Sequence, residues 1–236
     1  LKENAEKAFK ENRIAFKAVR TLGTPRRTAL VVEGLAEKQE DVASENRGPS
    51  VKIAFDAEGT PTQAAQGFAR GLHVDPKDLF VKDGYEYAEV DEEGQPTAKF
   101  LETLLPELVC GLSFPNNMRW GDLDFKFIRP IRWFVALYGA DVIPFELANV
   151  KSGRTSRGHR FLSQGDFEIT DAKSYEKACE ENFIIVDQDK RKQMIREQIE
   201  AVAKANGGQA EITEDLLEEV LYLVEYPTAL CGKFEE

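Results

Sequence analysis

Lys151, Arg154, Arg157 and Arg160 recur at three-residue spacing, interleaved with Ser152, Gly153, Thr155, Ser156 and Gly158. That is chemistry for oxyanions. Glycine lets a backbone come close to a phosphate, hydroxyls donate to its oxygens, and arginine offers a planar fork. His159 adds a ring that can stack on an unpaired base or donate to a phosphate. Three readings fit this composition: a contact to RNA, a surface loop whose arginines pair with neighbouring acidic helices, and a contact to an adjacent domain or subunit.

A second cluster comprises Met118-Arg119-Trp120-Gly121 and then Phe127-Ile128-Arg129-Pro130-Ile131-Arg132-Trp133. Aromatics interleaved with arginines build stacking platforms for single-stranded RNA. They also build core strands on which arginine stems lie along apolar neighbours. Arg119 and Arg129 are the candidates here, and Arg26-Arg27 near the start of the chain are two more. Catalytic templates are not found: there is no phosphate-binding Gly-x-x-x-x-Gly-Lys loop, no Gly-x-Ser-x-Gly elbow and no His-Glu-x-x-His helix. Cys110, Cys179 and Cys231 form no Cys-x-x-Cys pair, and His73 and His159 have no metal-ligand spacing around them. Buried structural thiols in a reducing compartment are the expectation.

The net charge of −11 argues against a generic nucleic-acid coat, but it is unevenly distributed. Residues 1–116 carry −5, residues 117–160 carry +4 and residues 161–236 carry −10. Any RNA contact belongs in the basic middle first. No run approaches the length of a membrane span, and the charged opening has no apolar core of a signal peptide. The chain begins without Met and is expected to be part of something longer.

Those residues need elements to hold them. Leu1–Ala18 reads as an amphipathic helix ended by Gly23-Thr24-Pro25, followed by a β-rich run at Thr28–Val32. Residues 37–48 read as a polar connector or irregular edge and Val51–Phe55 as a strand. Thr60-Pro61-Thr62-Gln63 starts a helix that Gly71 can end. Asp83-Gly84 is a hairpin turn between Leu79–Lys82 and Tyr85–Val90, and Phe100–Leu112 is helical around Pro106. Trp133–Tyr138 and Val142–Leu147 make a second hairpin, and the basic stretch follows as a loop. Then come a helix at Asp171–Asn182, a strand at Phe183–Val186, a long helix from Asp189 to Ala205, and another from Thr213. The expectation is an α+β fold, with an antiparallel or mixed sheet and packed helices. Its expected domains are 1–165, carrying the hairpins and basic segment, and 166–236, mainly helical and acidic.

Six blocks in order resemble the beta subunit of bacterial glycyl-tRNA synthetase. They are Thr24-Pro25-Arg26-Arg27-Thr28-Ala29-Leu30, then Gly48-Pro49 with Ala54-Phe55-Asp56, then Pro61-Thr62 through Gly67-Phe68-Ala69-Arg70. Met118-Arg119-Trp120 with Phe127 to Trp133, and Ser152-Gly153 through Arg157-Gly158-His159-Arg160-Phe161, continue the series. Val224-Glu225-Tyr226-Pro227 with Leu230, Gly232 and Phe234 closes it, Tyr226 standing where the family pattern has Trp.

The resemblance implies a cytoplasmic aminoacyl-tRNA synthetase of two alpha and two beta chains. Its alpha subunit activates glycine with ATP and Mg, and its beta subunit supplies tRNA binding and completes the assembly. This chain is then expected to be the N-terminal portion of beta, ahead of the HD-like and anticodon-binding regions, with a core like the B3/B4 domain of phenylalanyl-tRNA synthetase. On that reading it is a non-catalytic module with no cofactor of its own, whose partners are the alpha subunit, tRNA(Gly) and a second beta subunit. The RNA-contact candidates are Lys151, Arg154, Arg157, His159 and Arg160, followed by Arg26, Arg27, Arg119 and Arg129; these roles rest on side-chain chemistry. Two alternatives stand beside it: a hydrolytic editing domain for mischarged tRNA, and a scaffold that only touches the alpha subunit.

Overall fold

The computed structural model describes residues 1–55 and 60–233. Asp56 and Phe234, each part of a family block, lie outside the described residues. The chain forms two compact units, one of Leu1–Glu11, Phe16–Leu35 and Ala98–Glu236, the other of Asn12–Ala15 and Ala36–Thr97.

Helix α1 spans Lys2–Glu11 and buries Ala5 and Phe9. It stops well short of Ala18. Arg13 takes a left-handed φ of 57°, and Ala18–Thr24 is strand β1, paired antiparallel with β2 at Arg27–Glu33. Phe16, inside the expected helix, instead meets Phe9 by this reversal, with ring centroids 5.6 Å apart. Gly23-Thr24-Pro25 therefore belongs to a β-hairpin rather than to a helix end.

In the second unit, β3 (Val42–Ser50) pairs with β5 (Tyr85–Glu92), and β5 pairs with β4 (Phe80–Lys82), all antiparallel. Between β3 and β4 lie a single turn, α2 (Val51–Ala54), and α3 (Gln63–Leu72). The Asp83-Gly84 turn forms as expected, with φ of 49° and 77°, the two left-handed centres such a hairpin requires. β3 replaces the expected connector. Its alternating half-buried positions begin Val42, Ser44 and Asn46, too polar to announce a strand, and its pairing with β5 decides the outcome. Val51–Ala54 turns helical and leaves Ile53 at 61% exposure, while Phe55 is extended and bridges Pro61, so the expected strand does not form.

Back in the first unit, α4 (Thr97–Cys110) continues through Pro106. Short strands follow: β6 (Phe134–Val135), β7 (Leu137–Tyr138), β8 (Asp141–Val142), β9 (Glu146–Leu147), β10 (Val150–Gly153), β11 (Thr155–Arg157) and β12 (Asp166–Glu168). β7 pairs with β8 antiparallel, whereas β10 lies between β9, antiparallel, and β6, parallel. The result is the expected α+β fold with mixed pairing. α5 (Tyr175–Glu181) follows a turn whose Asp171 and Ser174 form a reciprocal capping box. α6 (Gln188–Ala205) is capped by the Asp187 carboxylate, and α7 is Glu214–Leu221. Ile184, Ile185 and Val186 are buried as an extended segment and not as a ladder strand. Ile184 and Val186 join Leu22 and Cys179 in a core that also packs Ala29, Val31, Phe167 and Tyr175. Helices α6 and α7 close on each other through Ile195, Leu217 and Leu221.

Candidate functional site

The basic stretch is two strands, not a loop. Its serines, threonine and glycines mask the pairing, because the partners lie elsewhere in the sequence: Ser152 stands opposite Phe134, and Ser156 opposite Phe167. The β9–β10 reversal uses Ala148 and Asn149, both left-handed at φ of 53° and 59°. That tight turn fixes the register at Val150↔Leu147 and Lys151↔Glu146. Ser152 locks it further, its Oγ donating to the Ile143 carbonyl at 2.7 Å and accepting from Phe145 N at 2.8 Å.

Side chains of an extended chain alternate sides, so three-residue spacing cannot put successive cations on one face. Lys151 and Arg157, six apart, both line an open cleft of about 270 Å³, with Arg132, Trp133 and Phe134 on its other wall. Arg154 is directed elsewhere. Its Nη1 donates to the Thr170 carbonyl at 3.1 Å and its Nη2 to the Ala140 carbonyl at 3.0 Å, which ties the β7–β8 turn to the segment before α5.

Asp166 is the cleft's carboxylate among the described residues, 3.5 Å from Arg157 Nε. Both side chains are about half exposed, so this pair is worth at most about 1 kcal/mol and leaves the Arg157 fork available. Glu146 faces Lys151 in the ladder without forming an ion pair. Among the described residues, the side chains of Arg132, Lys151 and Arg160 have neither hydrogen bond nor ion pair. The cleft thus presents three cations and an indole against one carboxylate, suited to a phosphodiester with a base or sugar beside it.

Arg26 and Arg27 lie behind the cleft and turn inward. Glu225, 6% exposed, accepts from Thr24 Oγ1 at 2.7 Å, from Arg26 Nη1 at 3.1 Å and from Arg27 Nη1. Arg27 also donates to the Arg157 carbonyl, and Arg26 to that of Gly158 at 3.4 Å. Burial pushes the Arg26 guanidinium below its ordinary value; Glu225 opposes this, while Arg27 and Arg160 add repulsion. The guanidinium carbons of Arg26, Arg27 and Arg157 lie 6.0, 5.5 and 5.6 Å from the Trp133 ring centre. Arg26 and Arg27 therefore hold β11 and Trp133 in place. Fully buried Arg191 extends the scaffold, donating to the carbonyls of Leu221, Ile185 and Gly23.

His159 is also held internally. Its Nδ1 accepts from the amides of Phe161 at 3.3 Å and Leu162 at 3.2 Å, which leaves the ring proton on Nε2. Arg160 is exposed at the same turn. Arg129 donates to the Pro25 carbonyl at 3.0 Å, and Arg119 lies 3.9 Å from Asp124 on an exposed excursion, so neither joins the cleft. Sequence reasoning missed three functional or supporting residues: Arg132, which shares its segment with Arg129 but reaches the cleft, and the buried pair Arg191 and Glu225. Arg132 adjoins Trp133, and that adjacency is the signal that could have selected it.

Among the described residues no cluster of three His, Cys, Asp or Glu side chains is placed to hold a metal ion. The Cys179 thiol is raised to about 11 by burial, and at neutral pH it is an inert core group, whereas Cys110 and Cys231 are exposed, against the expectation of three buried thiols. No helix among the described residues is long and apolar enough to cross a membrane. The sequence profile described as glycyl-tRNA synthetase beta subunit matches residues 1–236. The chain belongs to that family. It is similar to the glycine–tRNA ligase beta subunit of Desulfitobacterium hafniense (strain DSM 10664 / DCB-2), 50% identical over 99% of this chain and 34% of that protein. The corresponding subunits of Clostridioides difficile (strain 630) and Moorella thermoacetica are 45% and 46% identical, over 100% and 98% of this chain. The chain spans about a third of the length of these curated relatives. Of the glycyl-tRNA synthetase beta-subunit blocks read from the sequence, those at residues 24–30 and 224–227 fall on the arginine–glutamate scaffold, and those at residues 127–133 and 152–161 reach the cleft and the turn beyond it, whereas residues 48–55 and 61–70 lie in the second unit.

Proposed function

We propose that this part of a glycine–tRNA ligase beta subunit is a non-catalytic module that contacts tRNA and supports assembly, with the cleft between β10, β11 and Trp133 as its RNA contact. The observation that carries this reading is the convergence of Arg132, Lys151 and Arg157 beside an indole, in a chain that is otherwise acidic. Phosphates pair with the three cations, and Trp133 offers a flat neighbour for a sugar or base. Lys151 and Arg132 sit at the surface while Arg26, Arg27 and Arg191 fix the backbone behind them, so little ordering is needed when RNA arrives.

In the whole enzyme the alpha subunit carries out the ATP- and Mg-dependent activation of glycine, and two alpha and two beta chains assemble in the cytoplasm around tRNA(Gly). Photocrosslinking tRNA(Gly) to the assembled enzyme tests the contact. Crosslinked peptides containing Arg132 or residues 151–157 are expected. Crosslinks confined to the remaining two thirds of the beta chain reject it, and favour the scaffold reading, whose support is that Arg26, Arg27 and Arg154 all bind internal oxygens. The editing alternative would need a base facing an aminoacyl ester, and Asp166, the cleft carboxylate, is already beside Arg157. Deacylation of mischarged tRNA by the enzyme above the buffer rate would favour it.

A further inference from the structure

The hairpin of β11 and β12 carries the cleft at its base and a tight turn, residues 158–165, at its tip. This tip is fixed from below. Gly158 N donates to the Gly165 carbonyl at 2.8 Å, His159 N to the Asn182 carbonyl at 3.1 Å, and Ser163 N to the His159 carbonyl at 3.1 Å. Ser163 Oγ adds a bond to Asn182 Oδ1 at 3.0 Å. At Gly158 there is no room for a side chain: an added Cβ would lie 2.1 Å from Ser163 Oγ. The His159 ring then accepts from the two amides beyond Arg160 and closes the turn.

What this rigid turn presents is Phe161, 84% exposed, with Leu162 beside it at 48%. A phenylalanine held in water by such a network forgoes the burial that normally accounts for its presence, and a partner surface restores it. The neighbouring charges indicate which surface. Arg160, exposed and without a carboxylate partner among the described residues, precedes Phe161 in the chain, and Arg157 lies four residues back in the cleft. The Arg26 guanidinium is close enough to feel Arg160 electrostatically. An exposed aromatic ring that follows an exposed arginine in a basic stretch matches a nucleobase beside its own phosphate better than it matches an apolar protein pocket.

We infer that Phe161 is a stacking platform for an unpaired base of RNA, with Arg160 on the adjacent phosphate. This rests on the cleft reading above and adds a second, base-directed contact to it. The cleft follows the backbone by charge, and the tip catches a base that is free of the helix. Such a contact recognises an unstacked nucleotide rather than a particular letter, because every base has a π-face.

The test uses full-length beta chain assembled with its alpha subunit and compares Phe161→Ala, Phe161→Leu, Phe161→Trp and the double reversal Arg132→Glu/Lys151→Glu for tRNA(Gly) binding. Leucine fills an apolar protein pocket but cannot stack. Base stacking therefore predicts that Phe161→Leu and Phe161→Ala both weaken tRNA binding by about tenfold with an unchanged salt slope, while Phe161→Trp retains it. Wild-type tRNA affinity for Phe161→Leu overturns the inference, and if alpha–beta assembly weakens instead, the tip belongs to a protein contact. Loss of tRNA binding by the double reversal alone removes the stacking role and leaves the cleft. No loss by any of the four variants removes both.

Discussion

Arg27 donates to Glu225 across 198 residues of sequence, both side chains nearly excluded from water. Through this pair the β1–β2 hairpin holds the segment after α7, and through the second arm of Arg27 it holds the β11 backbone that presents Arg157. Glu225 answers two guanidinium groups, so removing it strands the buried Arg27 and the half-buried Arg26. Glu225→Ala is expected to cost about 3–5 kcal/mol of stability, and Glu225→Gln less, because the amide oxygen still accepts. Chemical denaturation of the full-length subunit checks this; a loss below about 1 kcal/mol for the alanine variant would show that the pair is dispensable.

Arg154 and Lys151 share a stretch of sequence but differ in what they hold. Arg154→Gln breaks two guanidinium–carbonyl bonds and is expected to lower stability by about 1–3 kcal/mol, with tRNA affinity unchanged in the protein that remains folded. Lys151→Gln is expected to leave stability within about 0.5 kcal/mol and to weaken tRNA binding. Thermal melts run beside binding assays separate the two; the reverse pattern would exchange their roles.

Glu86 on β5 is 1% exposed, and both of its carboxylate oxygens lack a hydrogen-bond partner among the described residues. Burial raises its pKa above the ordinary 4.5. The folded state therefore favours the protonated acid. Its contribution to stability is fully present below about pH 4.5 and is lost as pH rises through the raised value. Glu86→Gln should remove that slope and stabilise the β3–β5–β4 sheet at neutral pH. Hydrogen exchange of β5 amides, followed from below pH 4.5 upward in wild type and variant, reads it, and equal pH dependence in the two contradicts it.

At Gly158 the missing Cβ is a packing requirement. Gly158→Ala drives a methyl group into the Ser163 side chain and is expected to cost about 1–3 kcal/mol. Pairing it with Ser163→Gly should recover much of the loss. Because Ser163→Gly also loses the bond to Asn182, recovery is read against Ser163→Gly alone, and a Gly158→Ala cost that is the same in both backgrounds would place the strain in the backbone instead.

Where local chemistry decides, the sequence was a good guide. Asp83-Gly84 made its hairpin, and the helix expected from Asp189 to Ala205 formed, beginning one residue earlier under the Asp187 cap. Where distant partners decide, it was not. β3 hides behind Ser44 and Asn46, and β10 and β11 pair with β6 and β12 through Phe134 and Phe167. The candidate site was legible as composition but not as direction. Three-residue spacing reads as a patch of four cations, yet strand alternation turns Lys151 and Arg157 to the cleft and Arg154 to internal carbonyls. Arg26 and Arg27 match a family block, and only the fold brings Glu225 to them.

If Arg132, Lys151 and Arg157 take tRNA phosphates, salt dependence is the most direct measurement of it. For the assembled enzyme, log affinity for tRNA(Gly) should fall with log salt. Arg132→Glu/Lys151→Glu should weaken binding and flatten that slope by about 0.7–0.9 for each phosphate no longer neutralised. An unchanged affinity and an unchanged slope would contradict this role for the cleft.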